Sequence, residues 1–471
     1  MSTFSGIGTA LSSLNAHRQA LDVTSQNVAN ANTVGYTRQR ATMVASPTAV
    51  NPSMFQSASG VGDGVRVTGV ERLADAFLDA QVRSASSSAS YQGVRSTAYT
   101  TLEASLGEPS KTSLSSQMSQ MWSAFEDLAN NPHQASARTA VLSTAAAVTD
   151  KVGALYSSVR DQWTQARDQA VSLVDQVNAK AQGIADLNGR ILATTNVGGN
   201  ANELVDQRER AITELAGLTG ATSQTRANGT VDVLVGGNPL VEGSRTNALV
   251  VTGAPAFADA AGGAPVTVSW AHRPGSVVAL SGGSLAGQLS VLAPADAAGT
   301  GGVLAEAAAR LDTVATELAD QVNTLHQGGY TAAGATGTDF FRLEAGLPAA
   351  LGLRVAVPDG DGIAASGVDG AAYDGGVADA IHTLSSAARG PQALWAAGVV
   401  DTGNRSASAT ARATVAEAAR AQAESQQTSA AAVDTDEETV NLMAYQRGYQ
   451  AAARVLSTID SVLETLMNMA R

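Results

Sequence analysis

The chain has no cysteine, which excludes together a disulfide framework, a thiolate-bound zinc or iron–sulfur centre and a thiol nucleophile. It has no run of about 18 apolar residues, so no membrane-spanning helix is expected. The N-terminal stretch MSTFSGIGTALSSLNAHRQALDV carries neither a basic leader nor a continuous apolar segment, and no cleavable secretory signal is expected. On these features alone the chain reads as cytoplasmic. Aromatic residues make up 4% of the sequence against 44% hydrophobic. Ala, Val and Leu must therefore supply the core, which favours close-packed helices over an aromatic-rich sandwich. Basic residues are outnumbered, 29 − 42 = −13, so nucleic acid is not an expected partner, because phosphate binding needs a basic footprint. The length of 471 residues fits roughly two to four domains.

Catalytic chemistry is equally thin. The histidines (His17, His133, His272, His326 and His382) stand alone, with no metal-binding spacing between any two. The acidic run Asp434 to Glu438 lacks the glycine and the closing Glu of a calcium loop. It reads instead as the start of a helix, with Thr435 and Glu438 as a capping box. The glycine clusters at Gly60–Gly64 and Asp359–Gly362 fit turns, not phosphate-binding loops. Gly282-Gly-Ser-Leu-Ala-Gly287 misses the spacing of a nucleophile elbow and reads as a helix start capped by Ser284. No catalytic residue, metal ligand or cofactor site is expected, and the chain is read as a non-enzyme.

What is present is helical periodicity. Leu14, Leu21 and Val28 recur every seven residues, and the helix they mark stops at Asn27, Asn30, Asn32 and Gly35-Tyr36. Residues 36 to 70 read as an extended arm or hairpin. Helices are expected from about 74 to 106 and from 114 to 129, followed by one of unusual length. Val141, Val148, Leu155, Val159, Trp163, Val174, Val177, Ile184, Leu187 and Ile191 mark an apolar face from 135 to 193, with no proline to break it. At about 1.5 Å per residue such a helix is roughly 90 Å long, a rod element. Residues 221 to 283 change character to alternating β-prone runs between turn signals, an insertion between helices. Helical pattern resumes at Ser284, gives way to a loop-rich segment from 328 to 376 with a strand at Leu353 to Val357, and returns from 404 to 433. In the last segment Leu442, Tyr445, Tyr449, Ala452, Leu456, Ile459, Leu463 and Leu466 keep a 3,4 spacing, an unbroken heptad seam.

The expected fold is therefore mainly α: a long antiparallel helical bundle or coiled-coil rod formed by the N- and C-terminal segments, with a small inserted β domain. Residues 1–45 and 434–471 form the terminal helices, 46–220 and 284–433 the rod with its β arm, and 221–283 the outward-facing insertion. Both seams run nearly to the chain ends, where unsupported segments fray. Residues 1 to 100 carry seven Arg against five acids and residues 434 to 471 three Arg against six. Two helices of opposite charge could pair with each other and then with neighbouring copies.

Ser25-Gln-Asn-Val-Ala-Asn-Ala-Asn-Thr-Val-Gly-Tyr-Thr-Arg38 closely resembles the N-terminal signature of axial proteins of the bacterial flagellum, and Val440 to Leu456 resembles their C-terminal one. Glu203 to Arg210, Gly282 to Gly287 and Leu318 to His326 with Phe340-Phe341 narrow the resemblance to the hook-associated, hook–filament junction family. That resemblance implies a structural adaptor joining hook to filament, and it replaces the cytoplasmic reading. The protein would leave the cytoplasm by type III export without a cleaved signal and reside in the extracellular flagellum. Implied partners are further copies in a ring, the hook protein, a filament-side junction protein and a cytoplasmic export chaperone. The assembly surface would comprise Leu14, Leu21, Asn27, Val28, Asn30, Asn32, Gly35, Tyr36 and the C-terminal set Leu442, Tyr445, Tyr449, Ala452, Leu456, Ile459, Leu463 and Leu466. The chaperone would use Leu442, Tyr445, Tyr449, Leu456, Ile459 and Leu463 of the same seam. Residues 221 to 283 resemble nothing specific, and an insertion with binding or hydrolytic activity stays open. So does a hook or distal-rod subunit.

Overall fold

A computed structural model describes residues 3–46, 62, 64–371 and 373–469. The chain opens with helix α1 (Thr3–Ala29) and a hairpin, β1 (Gln39–Ala45) and β2 (Val65–Arg72), paired antiparallel with a register shift between Thr42 and Met43. Gly60 of the expected turn cluster lies outside the described residues. Four helices follow: α2 (Ala76–Leu106), α3 (Leu114–Asn130), α4 (Ala135–Asn196) and α5 (Asn202–Thr219). The 62 residues of α4 span about 93 Å. Its buried positions, Val141, Ala145, Val148, Val152, Leu155 and Val159 among them, repeat every three or four residues, so one apolar stripe faces the rest of the rod along its length.

The β-rich region holds β3 (Thr222–Thr225), β4 (Val231–Val235), β5 (Asn238–Glu242) and β6 (Arg245–Thr246) in one sheet. A second sheet is built from β7 (Leu249–Gly253), β8 (Val266–Trp270) and β9 (Arg273–Val277), with the short helix α6 (Phe257–Ala261) between its first two strands. Both sheets lie along α4. The Asn188 amide donates to the carbonyls of Val231 and Gly243, each at 2.8 Å, and the Asn178 amide donates to Leu249 O at 2.9 Å. Phe257 packs against Tyr156 and Trp163 of α4, with ring centroids 5.9 and 5.7 Å apart. The strands therefore share the apolar core of the rod.

Helices α7 (Gly283–Leu292) and α8 (Val303–Gln327) return along the rod. Beyond them come β10 (Phe341–Leu343), α9 (Ala349–Gly352), β11 (Leu353–Val355) and α10 (Gly376–His382). The chain closes with α11 (Pro391–Ala431) and α12 (Thr435–Met469). Helix α11 starts well before residue 404, at a proline in its first turn, where the missing N–H costs nothing. It runs antiparallel to α2: Gln427 bonds Asp79, and Ser96 meets Thr410.

Two cap assignments need correction. Ser284 does not cap α7: the cap position is Gly282, and the Ser284 hydroxyl is buried without a partner. The glycines of this motif serve close packing instead. A Cβ on Gly282 would lie 2.3 Å from Ser87 Oγ, and one on Gly287 would lie 2.9 Å from Tyr91 O, so α7 sits directly on α2. At α12 the cap is Asp434, whose carboxylate accepts from the N–H groups of Asp436 and Glu437 at 2.9 and 3.2 Å. The Glu438 carboxylate does not turn back to the cap but is engaged elsewhere.

Candidate assembly site at the paired chain ends

Helices α1 and α12 pack against each other, bringing residues more than 400 positions apart into contact. The contact is made by small residues. Among the described side chains of α1, those of Ala10, Ala16, Ala20, Thr24 and Asn27 are buried. A Cβ on Gly448 would lie 2.6 to 2.9 Å from the His17 ring, and one on Gly6 3.2 Å from Ile459 Cδ1. A groove of about 460 Å³ remains between the helices, lined by Gly6, Ala10, His17, Gly448, Ala452 and Val455. His17 Nδ1 is buried there without a hydrogen-bond partner.

The C-terminal residues expected at the seam turn toward α1. Ala452 is buried, and Leu442, Tyr445, Tyr449, Leu456, Ile459 and Leu463 are half-buried, whereas Leu466 is exposed. On α1, Leu14 and Leu21 are half-buried and Val28 is exposed. Of the residues at the end of α1, Asn27 is buried, Asn30 and Tyr36 are half-buried, and Asn32 and Gly35 are exposed. Gly35 holds φ at 79°, the left-handed conformation that reverses the chain after the helix.

Asn27 is the hub of this end. Its amide donates to Gln39 O at 2.8 Å and to Glu438 Oε2 at 3.0 Å. Its Oδ1 accepts from Gln39 N–H at 3.0 Å and from the Tyr36 hydroxyl at 2.9 Å. Burial, then the nearby carboxylates of Asp206, Glu203 and Glu438, push the Tyr36 hydroxyl up to about 12, so it stays a donor. Arg38 completes the lock, with Nε 2.7 Å from Glu438 Oε1 and Nη1 and Nη2 on Glu437 at 3.0 and 2.7 Å. The acidic run is thus both a helix start and the C-terminal half of a lock on the N-terminal signature. No sequence signal announces it, because the partners are distant in the chain.

The Leu-Val-Asp-Gln-Arg-Glu-Arg stretch of α5 sits where the terminal elements meet the rod. Asp206 faces the terminal side: Oδ2 accepts from Thr37 N–H at 3.1 Å and Oδ1 from Arg72 Nε at 2.7 Å. Arg208 and Glu209 face the rod. Arg208 reaches Asn188 and Gly229, while Glu209 holds both Arg208 and Arg83. The histidines occupy separate places: His133 meets the Tyr373 ring at a tilt, His326 is buried beside Phe340, and His382 meets Trp122 O. Among the described residues no three His, Asp or Glu side chains gather as a metal site. Nor is any described helix long and apolar enough to cross a membrane.

Terminal helices closed on each other at one end of a long helical rod define a structural subunit of the axial type. A family model described as the flagellar hook-associated protein FlgK helical domain matches residues 99–341. The models for flagella basal body rod proteins and for the flagellar basal body rod FlgEFG protein C-terminal region match residues 7–37 and 425–469. The chain belongs to the FlgK family of flagellar hook-associated proteins and is an axial component of the flagellum. It is 29% identical to flagellar hook-associated protein 1 of Bacillus subtilis (strain 168), over 99% of this chain and 98% of that protein. With flagellar hook-associated protein 1 of Escherichia coli (strain K12) identity is 31%, over 73% of this chain and 61% of that protein. The fold is similar to that of the flagellar hook junction protein FlgK from Burkholderia pseudomallei. That likeness has a TM-score of 0.63 at 16% identity, over 74% of this chain and all of that one.

Proposed function

We propose that this protein is a non-enzymatic adaptor at the hook–filament junction, assembled into a ring through its terminal helices after type III export. The observation that carries the reading is how little of α12 its partner covers. Of 35 residues only Glu438 and Ala452 are buried. Val440, Val455, Val462 and Leu466 remain 46 to 60% exposed, and on α1 Leu11 is 49% and Val28 40% exposed. Apolar surface of this extent on a paired helix marks an interface still to be filled, and copies of the same chain, the hook protein and a filament-side junction protein are the occupants. The interface would comprise Leu14, Leu21 and Val28, the Asn27–Tyr36 turn, and Leu442 to Leu466. Before export the half-buried face of α12 from Leu442 to Leu463 would engage a chaperone, which requires α12 to leave α1. The test is electron microscopy of flagella from a strain lacking this chain. Hooks without filaments, restored by the intact chain, support the adaptor; normal filaments in its absence overturn it.

A further inference from the structure

Two layers of polar contact meet at the base of the rod, and they do different work. The Asn27, Arg38, Glu437 and Glu438 contacts join α1, the strand that follows it and α12, all within the terminal elements. The contacts that cross from those elements to the rod are separate and few, and one of them is backbone to backbone, the Arg38 N–H donating to Ala431 O at 3.0 Å at the end of α11. Asp206 receives Thr37 N–H and Arg72, whose Nη2 lies 2.6 Å from Oδ1. The Asn202 amide donates to Gln39 Oε1 and Val70 O, each at 2.9 Å. Gln26 meets Glu203 at 3.1 Å and Arg210 meets Val34 O at 3.2 Å, both exposed.

The packed core of the rod does not extend across this joint. Among the described residues, the continuous apolar core includes side chains of α2 to α8 and α11 but none from α1, β1, β2 or α12. Instead a cavity of about 560 Å³ opens at the crossing, between the 31–37 turn, α5 and the end of α11. The chain itself crosses only at 72–76 and 431–435, short connections between β2 and α2 and between α11 and α12. A joint with room on one side, two covalent strands and no packed core has the elements of a hinge. Asp206 is buried there, 7% exposed, and among the described residues it makes the ion pair in which a charge on the rod meets a charge on the terminal elements.

We infer that the terminal elements turn as a unit about this joint, and that Asp206, bonded to Thr37 and Arg72, is the latch that holds them in the observed orientation. Packed cores deform little, whereas a polar contact of this kind is either made or broken. The latch therefore lets one rod present its terminal helices at more than one angle without unfolding either part. Asp206 is a positioning residue: it sets orientation and touches no proposed assembly partner.

The absence of native cysteine makes the test direct. Spin labels are placed at Asp460→Cys and Asp175→Cys, one on α12 and one on α4, and pulsed dipolar spectroscopy gives their distance distribution in the full chain. A second pair within the rod, Asp175→Cys and Ala418→Cys, reports whether the rod is intact. In the otherwise unaltered chain at low salt the cross-joint distribution should be narrow. Asp206→Ala should at least double its width while leaving the rod pair unchanged, and Asp206→Glu, which keeps the charge, should recover a narrower one. A cross-joint distribution equally narrow in Asp206→Ala would overturn the latch. So would one already as broad in the unaltered chain, or broadening matched by the rod pair, which would mean general loosening.

Discussion

The side-chain amide of Asn27 donates to Glu438 Oε2 at 3.0 Å, joining the last turn of the first helix to the first turn of the last one across 411 positions. Asn27 also accepts from Tyr36 and bonds both backbone groups of Gln39. Replacing it by Ala would leave those groups and Glu438 short of partners inside a site where Asn27 is 1% exposed. Each buried group so stranded costs about 1–3 kcal/mol. Asn27→Ala should therefore speed amide exchange in α12 at least tenfold while the rod's main unfolding transition stays in place. Unchanged α12 exchange would show that the helix is held by its seam alone.

Gly448 and His17 provide a separate test of that seam. A Cβ at 448 would come within 2.6 Å of the His17 ring. In a free helix Gly→Ala gains about 1 kcal/mol, but here overpacking of about 1–3 kcal/mol opposes it. Gly448→Ala should loosen the helix pair, seen as faster proteolysis within residues 435–469, and His17→Ala in the same chain should restore resistance. A double variant as sensitive as Gly448→Ala would place the clash elsewhere.

These two contacts also mark the limits of the sequence. The C-terminal seam was legible because Leu442, Leu456, Ile459 and Leu463 carry apolar side chains at heptad spacing. On α1 the most buried positions include Ala10, Ala20, Thr24 and Asn27, which sit at similar spacing but are too small or too polar to register as an apolar face. Asn27 looked like a helix stop and is also a four-bond hub. Arg38 and Glu438 each look ordinary alone, and only the fold places Nε 2.7 Å from Oε1. The long helix α4 was readable almost to the residue, since one apolar period continues without proline. The way the β-strands lie on it was not, because Asn178 and Asn188 give no pattern and act through backbone groups of distant strands.

That last contact makes the β-rich region testable. Asn188 is fully buried, accepts from Val231 N–H and Arg208, and donates to the carbonyls of Val231 in β4 and Gly243 in the turn after β5. Taken alone, the sequence suggests that residues 221–283 are dispensable for assembly, because no terminal signature lies within them. With Val233, Leu240 and Trp270 in the common core, exchanging them for a flexible linker should lower the melting temperature markedly. Asn188→Ala alone should cost roughly 2–4 kcal/mol, as buried partners go unpaired. A linker variant melting with the parent chain would show that the strands add nothing to the rod.

His326 gives the rod a predictable response to acid. It is fully buried, with Nδ1 2.6 Å from Thr338 O and Nε2 accepting from Ala364 N–H at 2.9 Å, which fixes the neutral Nδ1–H tautomer. Burial pulls its pKa below the ordinary value, opposed by the Thr338 carbonyl and the Asp339 charge. The unfolded chain therefore takes up a proton at a pH where the folded one does not. Stability is full above the ordinary histidine pKa of about 6.5, falls below it by up to about 1.4 kcal/mol per pH unit, and levels off once the folded group titrates. His326→Gln should lower stability at pH 7 and flatten the change between pH 7 and 5, measured by denaturant unfolding. An unaltered slope would assign that range to other groups.

The terminal helices should separate assembly from folding. Leu456 and Leu463 are half-buried on α12 and lie outside the apolar core of the rod. Replacing both by Asp removes apolar contacts with α1 and puts two charges on a seam that neighbouring copies would extend. The rod's melting temperature should change by no more than a degree or two, whereas incorporation into flagella should be lost. In the free chain, amides of residues 3 to about 35 and of 436 to 469 should exchange faster than those of α4, because α12 buries only Glu438 and Ala452 and exposed helices open at low cost. In the assembled structure the same amides should be protected, as expected when neighbours supply the missing contacts. Amides of α12 protected for hours in the free chain would mean that the pair is already complete. In that case the double Asp variant should also lower the melting temperature of the free chain.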